Sequence, residues 1–358
     1  MRGIKFSSLV LPVIVFIVGT ACSGNDISSD KGEEPQPIEF KYVVDKNGDG
    51  DFQSVQQAID AVPSYLDDRT SILIKKGVYK ELLTIPEEKK NITLVGEKAE
   101  EIILKYDNAA DKIDPETGEE YGTSGSASTF IHGDGFVAVN ITFENSAGTE
   151  YGPALAIYVD SDQSIFKNCR FLGRQDTFYG DRVRIFVQDS YIEGTVDFIF
   201  GPATAVFENC EIHSYGGTSI TAASTESYVD FGFVFRNCSI TSEPGVETDL
   251  GRPWRPYAAV AYLNSELGGG IKPEGWNNWG NTSNEATARY VEYNNSGPGA
   301  QIQERVEWVS ILSANEAEEY ATPNVLKTTY SKTQVTDHWD PYKLLEKMKE
   351  IDWSAGGG

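Results

Sequence analysis

One six-residue phrase recurs along the chain, and its recurrence restricts the fold more than any other feature. It reads Phe166-Lys167-Asn168-Cys169-Arg170-Phe171, then Phe207-Glu208-Asn209-Cys210-Glu211-Ile212, then Phe235-Arg236-Asn237-Cys238-Ser239-Ile240. Looser copies begin at Ala138, Val187 and Tyr262, so successive starts lie 28, 21, 20, 28 and 27 residues apart, which is a solenoid period. Within each copy the first, fourth and sixth positions are apolar or small and the second and fifth are mostly polar. That spacing suits a short strand bending at Asn or Asp and does not suit a helix. Each repeat therefore reads as one coil of a parallel β-helix, an all-β solenoid whose coils stack about 4.8 Å apart, with equivalent side chains in internal ladders.

Cys169, Cys210 and Cys238 fall at the same place in three copies, so they are expected in one buried ladder as small apolar residues without chemistry. A solenoid also has to close its ends. The segment Ser54 to Val62 carries Val55, Ala58, Ile59 and Val62 at helical spacing and is the expected N-terminal cap helix. Ser313 and Glu316 form a capping-box pattern that predicts a short helix in the C-terminal tail, beginning there and running toward Tyr320. No compositional break divides the chain, which predicts a single domain over residues 40–358.

The first residues have a separate character. Arg2 and Lys5 precede an apolar run from Leu9 to Val18, then Gly19-Thr20-Ala21-Cys22. Residues 1–22 read as a signal peptide of the lipoprotein type, too short to span a membrane, with Cys22 as the lipidation site. The expected location is the bacterial outer membrane, facing the periplasm or the surface, with plain secretion as the alternative. Residues 23–39 are polar, with Gly, Glu and Pro, and read as a flexible tether.

The formal net charge of −24 excludes nucleic acid as a partner, because phosphates would be repelled. Only three histidines exist, His132, His213 and His338, and there is no Gly-x-Ser-x-Gly elbow. No HExxH or paired-cysteine motif suggests a metal. Carboxylates are then the natural candidates for chemistry. Two segments place an acid among aromatic and apolar neighbours: Gln175-Asp176-Thr177-Phe178-Tyr179-Gly180 and Val196-Asp197-Phe198-Ile199-Phe200-Gly201. Asp176 and Asp197 are 21 residues apart, the same interval as the repeat starts Phe166 and Val187, so they hold the same place on adjacent coils. Two carboxylates that close do not both ionise readily, so one can serve as general acid while the other attacks. Arg252, in Leu250-Gly251-Arg252-Pro253-Trp254, is the candidate cation that keeps the nucleophile ionised. The competing account of either aspartate is a turn residue or ladder acceptor.

These residues resemble the pectin methylesterase family, carbohydrate esterase family 8, from about Tyr42 to Tyr320. The resemblance rests on a combination: Asp49-Gly50-Asp51-Phe52, Gly77 to Glu81, Gln175 to Tyr179, Asp197 to Gly201, Leu250 to Trp254, Glu292-Tyr293 and Arg305 to Trp308. It implies the right-handed, pectin-lyase-like form of the β-helix. It also implies hydrolysis of galacturonate methyl esters in pectin (homogalacturonan), by a monomer without cofactor or metal. Carried over by position, Asp197 is the nucleophile and Asp176 the general acid and then base. Gln175 donates to the oxyanion, Arg252 holds Asp197, and Trp254 offers a flat face to a sugar ring. Phe178, Tyr179 and Phe200 are expected to shape the cleft, and the competing account, ordinary core packing, is strongest for Phe200.

One departure stands out. The family places a second oxyanion glutamine in a Gln-Ala-Val-Ala-Leu phrase, where this chain reads Gly152-Pro153-Ala154-Leu155-Ala156. Proline offers neither a side-chain donor nor an N–H. Two alternatives therefore stay open: an esterase or thioesterase acting on a non-pectin acyl group, and a non-catalytic β-helix that binds acidic polysaccharide. A polysaccharide lyase would need clustered acids for Ca²⁺ and a basic proton acceptor, and no such cluster lies beside Arg252 in the sequence.

Overall fold

The computed structural model describes residues 39–348. The signal peptide, Cys22 with its lipid and nearly all of the 23–39 tether lie outside the described residues. Residues 36–358 form one compact unit.

The described chain is a right-handed parallel β-helix. Its strands build three sheets of eleven, seven and eight strands among the described residues, with parallel pairing throughout. One coil illustrates the circuit. Ser164–Lys167 lies in the eleven-stranded sheet, Arg170–Leu172 in the eight-stranded sheet and Phe178–Gly180 in the seven-stranded sheet, and Arg184–Gln188 then begins the next coil.

The repeated phrase spans the corner between the first two of these strands. Its third residue turns the chain with a left-handed backbone: Asn140, Asn168, Asp189, Asn209, Asn237, Asn264 and Asn294 have φ between +49° and +58°. Asn and Asp tolerate this region better than other non-glycine residues, because their short polar side chains bond locally. Here they also bond to one another between coils: Asn168 Nδ2 donates to Asn140 Oδ1 (2.5 Å), Asn209 to Asp189 (3.2 Å) and Asn294 to Asn264 (2.8 Å).

The apolar positions of the phrase point inward and stack. Phe207, Phe235 and Tyr262 lie nearly parallel, with centroids 4.7 and 4.4 Å apart. Strand pairing aligns Phe166, Val187, Phe207, Phe235 and Tyr262, so the residues three further on share a row: Cys169, Ser190, Cys210, Cys238 and Ser265. The cysteine ladder is thus present, with serines filling its gaps. All three thiols are free and buried, and burial pushes that of Cys169 up to about 12, so it stays protonated and unreactive.

The N-terminal cap helix is Val55–Ala61. Ser54 caps it, and the Glu81 carboxylate accepts from Ser54 Oγ (2.7 Å), Val55 N (2.9 Å) and Gln56 N (3.0 Å). Gln56 in turn exchanges two hydrogen bonds with the Thr84 backbone, so the cap satisfies polar groups on the first strand of the seven-stranded sheet. Ser313 and Glu316 form the expected capping box on helix Ala314–Glu318. At the last coils Arg305 forks onto Glu292 (2.7 and 3.2 Å), which also accepts from Trp276 Nε1, so these matched motifs close the solenoid.

The tail covers the outer face of the eleven-stranded sheet. Val325, Leu326 and Met348 pack with Val137, Ile165, Phe186, Val206 and Val234, which explains why those strands are apolar on both faces. Arg184 pins the tail: fully buried, it bonds Asp162 (2.6 Å), Asp337 (2.6 and 2.8 Å) and the Leu326 carbonyl.

The corner residues give a direct test. Asn209→Gly keeps the left-handed turn and should change stability by less than about 0.5 kcal/mol, whereas Asn209→Val forces a β-branched residue there and should cost about 2 kcal/mol. Urea denaturation of the two variants beside the parent measures the difference.

Candidate active site

The seven-stranded sheet carries the candidate residues. Phe178–Gly180 pairs with Ile199–Gly201 so that Phe178 faces Ile199 and Tyr179 faces Phe200. Three residues before Tyr179 and Phe200 come Asp176 and Asp197, which therefore occupy one row on adjacent coils. Both have left-handed backbones, with φ of 64° and 49°, and both are nearly buried, at 8% and 6% exposure. The backbone holds them there: Asp176 N donates to Val196 O (3.1 Å) and Asp197 N to Ser219 O (2.8 Å).

Arg252 lies on Asp249–Pro253, with Ala222 opposite it on the intervening strand. It bonds Asp197 in a fork, Nε to Oδ1 at 2.8 Å and Nη2 to Oδ2 at 2.6 Å. The strand between them carries only a methyl group at this level, which leaves the guanidinium room to reach back. The two acids consequently differ. Burial, and then the nearby Asp197 charge, push Asp176 up to about 8, so it is largely protonated at neutral pH. Burial also raises Asp197, but the hydrogen bonds and charge of Arg252 oppose that rise and favour its ionised form.

Gln175 is half-buried beside Asp176, and its side-chain amide makes no hydrogen bond to the described residues, so it is available to a ligand. Its carbonyl accepts from Ala154 N (3.2 Å), which places Pro153 next to it. Pro153 is itself tied to a flanking loop, its carbonyl accepting from Ala110 N (2.8 Å). The position expected to supply a second donor thus adjoins Gln175 and supplies none.

The aromatic residues need a correction. Phe178 does not line the cleft: it is fully buried in the interior among Phe166, Phe171 and Phe207. Phe200, for which core packing was the stronger expectation, lies on the outer face, packed against Tyr179 (4.8 Å) and Trp254 (6.1 Å). Strand alternation is the cause, since it sends Phe178 and Ile199 inward and Tyr179 and Phe200 outward. Phe130 and Tyr158 continue the same outer row, each ring within 5.7 Å of the next.

Trp279 is a further residue of the site that the motifs did not single out. Its ring lies 3.9 Å from the Arg252 guanidinium, and it is held there by a left-handed backbone and a bond from its N–H to Asn277 Oδ1 (2.7 Å). Stacking on that face steadies the fork to Asp197. The available signal was a large aromatic within an Asn- and Gly-rich loop, where a core has no use for one.

The comparisons with known proteins decide the family. The pectinesterase profile matches residues 41–329. Pectinesterase 31 of Arabidopsis thaliana is 42% identical over 279 residues, covering 76% of this chain and 88% of its own length. The chain belongs to the pectinesterase family. Pectinesterase 5 of the same plant is 39% identical over 81% of this chain, which spans only 50% of that longer protein. Among solved structures, pectin methylesterase from carrot superposes with a TM-score of 0.76 at 32% identity, covering 82% of this chain and 95% of the carrot chain. Pectin methylesterase PemA from Erwinia chrysanthemi gives 0.70 at 29% identity, covering 81% and 97%. This pectinesterase-family chain is a carboxylic ester hydrolase.

The Arg252 fork predicts a pH effect. Arg252→Gln leaves burial of Asp197 unopposed, so its carboxyl titrates higher and the acidic limb of the rate profile moves to higher pH, with kcat/KM lowered by about 100-fold. A pH–rate series on the variant checks both.

Proposed function

We propose that Asp197 and Asp176 carry out the de-esterification of pectin, releasing methanol and galacturonate carboxylate. The observation that carries this assignment is the pairing of two register-matched acids, of which only Asp197 receives a guanidinium fork. Asp197, ionised, attacks the C6 carbonyl carbon of a methylated galacturonate. Negative charge gathers on the carbonyl oxygen, and the free amide of Gln175 donates to it. As the C–OCH₃ bond breaks, Asp176 passes its proton to the departing oxygen and methanol leaves. The acyl group is now an anhydride on Asp197. Asp176, now a carboxylate, takes a proton from water, whose oxygen attacks the acyl carbon and frees Asp197 and the galacturonate. One ester and one water are consumed, and both acids return to their starting states.

Trp254, Tyr179 and Phe200 form the aromatic wall beside the reacting groups, suited to sugar rings. Phe178 has no part in it. The hexasaccharide bound to a structurally similar pectin methylesterase (TM-score 0.73, 28% identity) supports an oligosaccharide as the ligand of such a cleft. Pro153 favours a second reading, the same chemistry on a different acyl group. A panel of methyl, acetyl and thioester substrates separates the two.

The proposal extends to location. The basic start, the apolar run Leu9 to Val18 and the small residues before Cys22 support export of a monomer, with Cys22 lipidated at the outer membrane.

Two outcomes test the chemistry. Methanol release from highly methylated galacturonan by residues 23–358 should fall at least about a thousandfold in Asp197→Ala. In the parent, acylation needs Asp176 protonated, so kcat/KM should decline as pH rises through about 8; a profile flat to pH 10 would remove Asp176 as the acid.

A further inference from the structure

Beside the catalytic groups, on the far side of Tyr179 and Trp254, lies a cavity of about 460 Å³ that also touches Arg182, Ser224, Glu226 and Arg255. Trp254 and Tyr179 border both spaces, so a polymer lying over Asp197 extends into this cavity. Of the charged side chains lining it, two are cationic and one is anionic. Arg182 is already engaged, held between Asp181 and Glu226 at 3.1 Å each. Arg255 is not. Among the described residues it makes no ion pair; it donates only to the Trp254 carbonyl (3.0 Å), with its guanidinium stacked 4.6 Å from the Trp254 ring.

An exposed, unpaired arginine is unexpected on this chain, where 54 acidic residues outnumber 30 basic ones. Its stacking leaves in-plane N–H groups directed away from the ring, the arrangement that grips a carboxylate in two places. A polymer that gains a carboxylate at each turnover brings such a group next to every remaining ester. The general field of the protein repels it, and Arg255 offers a local cation.

We propose that Arg255 binds the free carboxylate of an already de-esterified galacturonate, so that the enzyme prefers esters next to such residues and removes methyl groups in runs. This rests on the ester-hydrolase reading of the Asp197 site. The ligand is a sugar carboxylate within the same polymer, and the serine hydroxyl of Ser224 and the Trp254 edge complete its surroundings.

Binding is measured first, without turnover. Fully de-esterified galacturonan oligomers are titrated calorimetrically into Asp197→Ala and into Asp197→Ala/Arg255→Gln. The Kd should rise about tenfold on loss of Arg255, as for one charge-assisted contact, and the difference should shrink in high salt. Arg255→Lys, which keeps the charge, should restore part of the affinity. An unchanged Kd overturns the proposal. In the active chain, Arg255→Gln should lower the ratio of kcat/KM on partly de-esterified over fully methylated oligomers, chiefly through KM. NMR of the product should then show scattered rather than contiguous free carboxylates, whereas an unaltered ratio and pattern overturn the proposal. Arg255-dependent oligomer binding by a chain that releases no methanol would retain the carboxylate site and refute the esterase reading alone.

Discussion

Every coil of this solenoid turns on one residue held in a left-handed backbone, and the alignment of those residues sets the register of everything else. A single slip would carry a phenylalanine of the repeated phrase from the interior to solvent. Asn and Asp at the corner prevent this in two ways. Their backbone preference marks where the chain bends, and their side chains bond the equivalent residue on the next coil. Once the corners are aligned, the aromatic stack and the cysteine–serine row follow without further instruction.

The catalytic candidates use the same device at a second corner. Asp176 and Asp197 are left-handed, whereas Leu155 and Ser219, in the same row on the flanking coils, are not. Asparagine would satisfy the backbone at either place. The choice of aspartate at both is therefore a matter of charge, and the turn explains how a buried acid is held without freedom to swing away. Rigid sheet corners suit a reaction whose partners need to stay in place through two successive attacks.

The fold was legible because the repeat spacing and the corner residues are written in the same six letters. The acid pair was legible for a related reason, since the interval from Asp176 to Asp197 equals the local coil length. Phe178 and Phe200 were not, because Thr-Phe-Tyr-Gly and Phe-Ile-Phe-Gly each contain inward and outward residues, and composition does not say where alternation begins. The bond of Asp176 N to Val196 O, which fixes that phase, is visible only in three dimensions. Glu81, Glu292 and Arg305 sat in recognisable motifs, yet their work at the cap and the last coils depends on partners from other coils, 11 to 33 residues away in the cap and end-coil bonds. Trp279 stayed hidden because stacking on Arg252 needs a loop whose path no periodicity encodes. The double-sided burial of the eleven-stranded sheet likewise depends on a tail whose sequence carries no repeat.

The division of labour between the acids follows from one asymmetry. Neighbouring strands stand about 4.8 Å apart, too close for two buried carboxylates to be ionised together in a site with a single cation. Desolvation raises both, and Arg252 relieves only Asp197, so the shared proton settles on Asp176. After methanol leaves, Asp197 is esterified and its charge is gone. The repulsion that held the proton on Asp176 disappears at the moment that proton has been given away, and the bare carboxylate left behind is stabilised by the same Arg252 charge, which no longer has an anion of its own. The pair thus exchanges roles without any residue moving: the acid needed to expel methanol becomes the base needed to admit water because the chemistry itself has changed the charge beside it.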